Sequence, residues 1–329
     1  MKKILDSLYK KQVLGYQDAR EILTKIALGH YNAAQIASFM TVFMMRGVTI
    51  DELTGFRDAL MDLCIPVNLD GRPTIDLCGT GGDEKNTFNI STLASFVVAA
   101  AGVPVAKHGN YGVSSVSGSS NVLETLGYKF KNNSDYLQAE LDQCGICFMH
   151  APLFHPAMKT VAPIRKDLGV KTFFNMLGPM VNPSRPPMQM IGVFSLELAR
   201  MYHYIYQQSA KKYAIVYNLD GYDECSLTND TRVLTHQNEK LLSTSDFGYQ
   251  RLDPIQIQGA DSVTENARLF LGILKLEGSR AHEEVVIANA ALALQTSFDE
   301  SLTDSLLRAA ESLRSGKAYE TFKHLISIQ

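Results

Sequence analysis

Between positions 74 and 107 the sequence changes its period twice, and few folds accommodate that pattern. A short apolar run at 74–78 enters a turn containing Gly79, Gly81 and Gly82. An apolar stretch at 91–101, of helical length, follows and stops at Gly102, and a second short run fills 103–107. Further strands are expected at 146–150, 189–194 and 213–217, with helices at 134–143 and 196–209 between them. Such alternation implies an α/β sheet domain, and in open sheets of this kind ligands bind beyond the carboxyl ends of the strands.

Roughly the first sixty residues read instead as helices. Gly29 breaks one, Asn32 with Gln35 makes a capping pair, and Gly47 follows the next apolar stretch. Thr49 and Glu52 have capping-box spacing, and behind them Leu53, Phe56, Leu60 and Leu63 recur at helical intervals as one buried stripe. A small helical domain over 1–68 and an α/β domain over 69–329 are expected. The last third carries helical patterns at 263–276, 283–295 and 302–313, preceded by a hairpin-like stretch.

A net charge of −3 offers no broad attraction to nucleic acid or to an anionic membrane, so an anionic ligand has to be held locally. No apolar run approaches the ~20 residues that span a bilayer, and the first residues lack a signal-peptide core. Five cysteines, an odd number, argue against a disulfide framework and suit a reducing cytoplasm. Cys144 and Cys147 have no second pair to complete a zinc site, and His150 and His155 read as structural.

Three loops that follow strands can carry chemistry. Asp76-Leu77-Cys78-Gly79-Thr80-Gly81-Gly82-Asp83 lets backbone amides approach an anion and runs into Asn89-Ile90-Ser91-Thr92 at a helix start, where unpaired amides suit a phosphate. Its spacing is neither that of a Walker loop nor that of a dinucleotide fingerprint. Taken alone it is an ordinary tight turn, with Ser91 as a helix cap. Lys107-His108-Gly109-Asn110-Tyr111 continues through small polar residues to Ser115 and Ser119, adding one cation and flexible backbone. Asp220-Gly221-Tyr222-Asp223-Glu224 offers oxygen ligands for a hard divalent cation, although adjacent acids in a turn are more often simply solvated. Arg165 can fork onto a carboxylate or pair with Asp167, and Phe173 and Phe174 read as packing.

Together, and in this order along the chain, these segments resemble the anthranilate phosphoribosyltransferases. The resemblance implies the nucleoside phosphorylase and phosphoribosyltransferase fold, a small helical domain joined to a larger α/β domain, with the active site in the cleft between them. Helices near 154–172 are expected to rejoin the helical domain, and a homodimer is the family expectation. Carried over to matching positions, Gly79, Gly82, Asp83, Thr87, Asn89, Ser91, Thr92, Lys107, Ser115 and Ser119 would hold phosphoribosyl pyrophosphate. Ser91, Asp223 and Glu224 would organise magnesium, with two ions per active site. Gly79, His108, Asn110 and Arg165 would meet anthranilate, Arg165 facing its carboxylate. The chain departs from the family at Tyr111, where arginine is common, and at Asn218-Leu219, where His-Gly is frequent.

The implied reaction displaces pyrophosphate from the ribose C1 by the anthranilate amine in tryptophan biosynthesis, with no side chain identified as general acid or base. Alignment and charge stabilisation, which contribute ~7–11 kcal/mol in favourable cases of alignment, outweigh proton transfer here. Two alternatives share the fold: a pyrimidine nucleoside phosphorylase and a nucleic-acid-binding relative, the latter disfavoured by the acidic net charge.

Overall fold

A computed structural model describes residues 1–112 and 115–329. Four helices come first: α1 (Lys2–Tyr9), α2 (Tyr16–Ala27), α3 (Ala33–Arg46) and α4 (Ile50–Leu63). Then follow β1 (Ile75–Gly79), α5 (Ile90–Ala100), β2 (Val105–Gly109), α6 (Ser119–Thr125), α7 (Ser134–Cys144) and β3 (Ile146–His150). Two short helices, α8 (Ala151–Phe154) and α9 (Ala162–Leu168), precede β4 (Met188–Gly192), α10 (Leu196–Gln207), β5 (Lys212–Asn218), β6 (Thr231–Thr235) and β7 (Glu239–Leu242). The chain closes with α11 (Val263–Leu274), α12 (Arg280–Phe298), α13 (Leu302–Arg314) and α14 (Lys317–Ser327).

The chain forms two units: Met1–Pro66 with Ala151–Pro183, and Val67–His150 with Ser184–Gln329. The first is helical. Both expected capping boxes are present, Asn32 with Gln35 opening α3 and Thr49 with Glu52 opening α4. Glu52 does more than cap: it is fully buried, accepts the Leu14 N–H at 2.8 Å and pairs with the Arg46 guanidinium at 2.6 Å. Such a pair stays favourable only with its remaining lone pairs satisfied, which the Thr49 N–H achieves at 2.9 Å. Phe39, Phe43 and Phe56 pack with Phe173 from the returning segment, with ring centroids 4.5–6.2 Å apart.

The second unit holds one seven-stranded sheet in the order β3-β2-β1-β4-β5-β6-β7. The first five strands are parallel, and β6 and β7 add an antiparallel hairpin. Its core is dominated by α5 and by α12, which is buried around its whole circumference over 285–294. Strands β1 and β4 pair in register from Ile75 and Met188 to Gly79 and Gly192, and β1 and β2 pair at Ile75 and Val105. Side chains also join these two strands: the His108 N–H donates to Asp76 Oδ1 at 3.1 Å, and the Lys107 ammonium donates to the Leu77 carbonyl. Asp76 is further fixed by Gln189 Nε2 at 3.4 Å, and Gln189 by the Tyr206 hydroxyl at 2.7 Å.

Away from these strand ends, Glu140 of α7 is fully buried, accepting from the Tyr128 hydroxyl at 2.7 Å and from Gln329 Nε2 at 2.9 Å. Burial pushes its carboxyl up to about 7, against the opposing pull of the Gln329 and Tyr128 hydrogen bonds. Between its ordinary value of 4.5 and about 7 the native state keeps a proton that the unfolded chain has lost. Glu140 therefore lowers stability as pH rises through that window, by on the order of 3 kcal/mol in total. Glu140→Gln is expected to remove that slope, read as the difference between the two proteins in denaturant unfolding from pH 4.5 to 8; parallel profiles would refute it.

Candidate active site

Beyond β5 the chain lays Asp223 and Glu224, both buried, against the carboxyl ends of β1 and β4. The approach is so close that a Cβ on Gly79 would strike the Asp223 carboxylate, and one on Gly192 would overlap the Asp223 carbonyl. Asp223 Oδ2 accepts the Gly81 N–H at 2.7 Å, and Glu224 Oε1 accepts the Ser91 N–H at 3.2 Å. Ser91 is thus not the cap of α5. The N-cap is Asn89, whose side chain makes no cap bond and instead donates to the Ser117 carbonyl at 3.2 Å. The partial positive charge of the helix start faces Glu224.

Lys107 is 2% exposed, with its ammonium 3.5 Å from Ser91 Oγ. Burial pushes the Glu224 carboxyl up to about 7, although Lys107 and the bonds from Ser91 pull it down. Burial, and then the charges of Asp83 and Glu224, raise the Asp223 carboxyl well above the usual range. With one lysine among three carboxylates, burial favours the neutral forms of the acids, and a hard divalent cation would favour the ionised ones. Among the described residues no three His, Cys, Asp or Glu side chains close on one point as a metal cage. A sparse set of buried oxygens fits magnesium, which keeps waters and takes other ligands from phosphate oxygens.

The remaining predicted donor-site residues border this cluster unevenly. Asp83 Oδ1 accepts the Lys85 N–H at 3.1 Å. Thr87 forms an antiparallel bridge to Gln258, and the Gly259 N–H donates to the Asn86 carbonyl at 2.7 Å, so the glycine loop is fastened at its far end. Gly82 is buried, and Thr92 is buried in the first turn of α5. Ser119, read as part of a loop, is the first residue of α6, and its Oγ sits where a Gly109 side chain would be. Ser115 is exposed, with Oγ 3.4 Å from the Ser117 carbonyl, and Val113 and Ser114 lie outside the described residues.

Among residues predicted to meet anthranilate, His108 is buried at the β2 end beside Gly109. The Asn110 carbonyl accepts the Ser120 N–H at 3.1 Å. Tyr111, where the family commonly has arginine, directs its hydroxyl to Glu124 at 3.2 Å, and its ring meets that of His150 in a T-shaped pair with centroids 4.5 Å apart. In the helical unit, Arg165 of α9 donates to Asn175 Oδ1 at 3.3 Å and lies over the Phe174 ring at 5.4 Å. Its guanidinium has no carboxylate partner among the described residues, and burial lowers its pKa. Pairing of Arg165 with Asp167, open from the sequence, is therefore absent among them.

Sequence reasoning missed three residues that shape these loops. Asn121 Oδ1 accepts the N–H groups of both Gly112 and Gly118, at 2.9 and 3.0 Å, pinching the second loop. Gly192 leaves room for the acidic loop, and Asn289 of α12 holds the backbone of Cys225. The signal for Asn289 was in view: an asparagine inside an apolar helix has to find buried partners.

Residues 2–64 match the model described as "Glycosyl transferase family, helical bundle domain", and residues 71–319 that described as "Glycosyl transferase family, a/b domain". Over 325 residues the chain is 57% identical to the anthranilate phosphoribosyltransferase of Flavobacterium psychrophilum, covering 99% of this chain and 98% of that one. The chain belongs to the anthranilate phosphoribosyltransferases. Its relative of that name from Bacteroides fragilis strain YCH46 is 50% identical, with 100% and 99% covered. The crystal structure of the anthranilate phosphoribosyltransferase of Thermus thermophilus superposes with a TM-score of 0.91 at 31% identity, covering 98% of both chains. That of Saccharomyces cerevisiae in complex with PRPP and Mg superposes with a TM-score of 0.88 at 28% identity, covering 95% and 93%. The small helical domain and larger α/β domain expected from the sequence are those of the family.

In an anthranilate phosphoribosyltransferase built this way, Gly192→Ala is expected to displace the acidic loop and lower turnover roughly 100-fold, since a misplacement of ~1 Å costs about that much. Steady-state rates at saturating substrates check it, and wild-type turnover would mean that the loop tolerates the shift.

Proposed function

We propose that this chain transfers the phosphoribosyl group of phosphoribosyl pyrophosphate to the amine of anthranilate, giving phosphoribosyl anthranilate and pyrophosphate in tryptophan biosynthesis. The observation that carries the reading is the buried Asp223–Glu224 pair tied to the Gly81 and Ser91 amides beside Lys107, in a chain of this family.

The amine nitrogen attacks the ribose C1 as the bond from C1 to the pyrophosphate oxygen breaks, with inversion at C1. Gly79, Gly82, Asp83, Thr87, Asn89, Ser91, Thr92, Lys107, Ser115 and Ser119 are assigned to the ribosyl donor. Lys107, its ammonium already desolvated by burial, meets the negative charge that grows on the departing oxygens. The start of α5, free of a side-chain cap, directs its dipole at the same charge. Ser91, Asp223 and Glu224 would hold magnesium, proposed at two ions per site, which when bound would supply further positive charge for the leaving pyrophosphate.

Gly79, His108, Asn110 and Arg165 are assigned to anthranilate. Arg165 is the carboxylate reader, an assignment supported by its desolvated guanidinium lacking an acidic partner among the described residues. No residue is assigned as general acid or base, because the aryl amine is neutral at physiological pH and its proton leaves late, to water.

Two copies of the chain are inferred to pair. Tyr9, Val13, Leu28, Met44 and Met45 of the helical unit are exposed apolar residues that such pairing would cover. Cytoplasmic residence is supported by the thiols, since among the described residues no disulfide joins any of the five cysteines. Among the described residues no helix is long and apolar enough to cross a membrane.

Loss of anthranilate fluorescence that requires protein, phosphoribosyl pyrophosphate and magnesium together tests the activity; phosphate-dependent thymidine cleavage in its place would turn the reading to a nucleoside phosphorylase. Arg165→Ala is expected to raise the anthranilate KM roughly 10- to 100-fold, the cost of a charged hydrogen bond, with little change for the ribosyl donor. The double variant Asp223→Ala, Glu224→Ala is expected to lose the magnesium response of donor use while anthranilate saturation is retained. An unchanged anthranilate KM in the first, or an intact magnesium response in the second, removes the corresponding assignment.

A further inference from the structure

Asn289 stands midway along α12, fully buried, and every other residue of 285–294 is apolar. Its amide makes a two-way pairing with one backbone residue: Oδ1 accepts the Cys225 N–H at 3.0 Å while Nδ2 donates to the Cys225 carbonyl at 2.8 Å. Nδ2 also donates to the Val285 carbonyl at 2.8 Å, which fixes the rotamer from within the helix. Cys225 follows Glu224 directly, and two residues further on Leu227 takes a φ of 59°, a left-handed conformation costly for leucine. The residue directly after the acidic pair is thus gripped through both its N–H and its carbonyl by one buried side chain, just ahead of a strained position.

We propose that Asn289 is a positioning residue for the divalent cation: it holds the backbone beside Glu224, so that Asp223 and Glu224 present their oxygens together. This rests on the assignment of those acids to magnesium. Asn289 touches neither substrate nor metal ligand side chain in this reading; it acts on the backbone that carries them. Residues behind metal ligands typically alter metal affinity 10- to 100-fold when changed, which sets the scale.

Two substitutions separate holding the loop from filling the helix. Asn289→Leu removes all three bonds at similar volume. Asn289→Thr keeps a hydroxyl able to reach the Val285 carbonyl four residues back but too short for Cys225, and it carries the test if the leucine variant does not fold. Leu294→Ala, buried in α12 more than a turn further on, controls for a loosened core. Manganese is titrated into each protein with saturating phosphoribosyl pyrophosphate, and the free ion is read by electron paramagnetic resonance against the donor alone.

Both Asn289 variants are expected to bind manganese roughly tenfold more weakly or worse, and Leu294→Ala to bind it as the wild type does. Wild-type manganese binding by Asn289→Thr, or an equal loss in Leu294→Ala, overturns the proposal. The double variant Asp223→Ala, Glu224→Ala separates the two readings: if it keeps its manganese, the acid assignment itself falls, whereas if it alone loses manganese, only the role of Asn289 does.

Discussion

Much of this architecture depends on one electrostatic conflict, the burial of Asp223 and Glu224 beside a single lysine. Two carboxylates do not remain in so dry a place without amide donors, a nearby cation, or both. The Gly81 and Ser91 N–H groups supply the donors, which requires an uncapped helix start and a glycine turn. Gly79 and Gly192 follow from the same demand, because the acids reach those donors only by lying directly on the ends of two strands. The raised carboxyl pKa values of both acids are the mark of that conflict, which burial imposes and the amides only partly relieve.

Much of this was legible in the sequence because the relevant signals are local. The run at 146–150 became β3 with the same bounds, and the apolar stretch at 91–101 became α5 one residue earlier. Capping chemistry marked α3 and α4 correctly, since a cap and its partner stand three residues apart. Helix α14 escaped notice because its N-cap, Gly316, offers no side-chain cap and only two residues separate it from α13. The full length of α12 was hidden by a cap made from Ser279 and His282, where glutamate or glutamine is the usual partner.

What the sequence concealed is long-range. Gly81 and Asp223 are 142 positions apart, and Cys225 and Asn289 are 64 apart, so no periodicity connects them. Glutamate 52 shows the same limit on a smaller scale. Its spacing from Thr49 announces a cap, but nothing near it announces that the same carboxylate also accepts the Leu14 N–H and pairs with Arg46. Local pattern located most of the elements and the loops between them, and the tertiary contacts decided which side chains hold one another.

The ties that cross from β1 to β2 are made by side chains as well as by paired backbone. Asp76 of β1 takes the His108 N–H on Oδ1, and Lys107 of β2 donates to the Leu77 carbonyl. A substitution at either residue therefore acts twice, removing a polar group from the strand ends and a tie between two neighbouring strands. Lys107 belongs to the sheet as much as to the loops beyond it, and its charge is held in place by a strand other than its own.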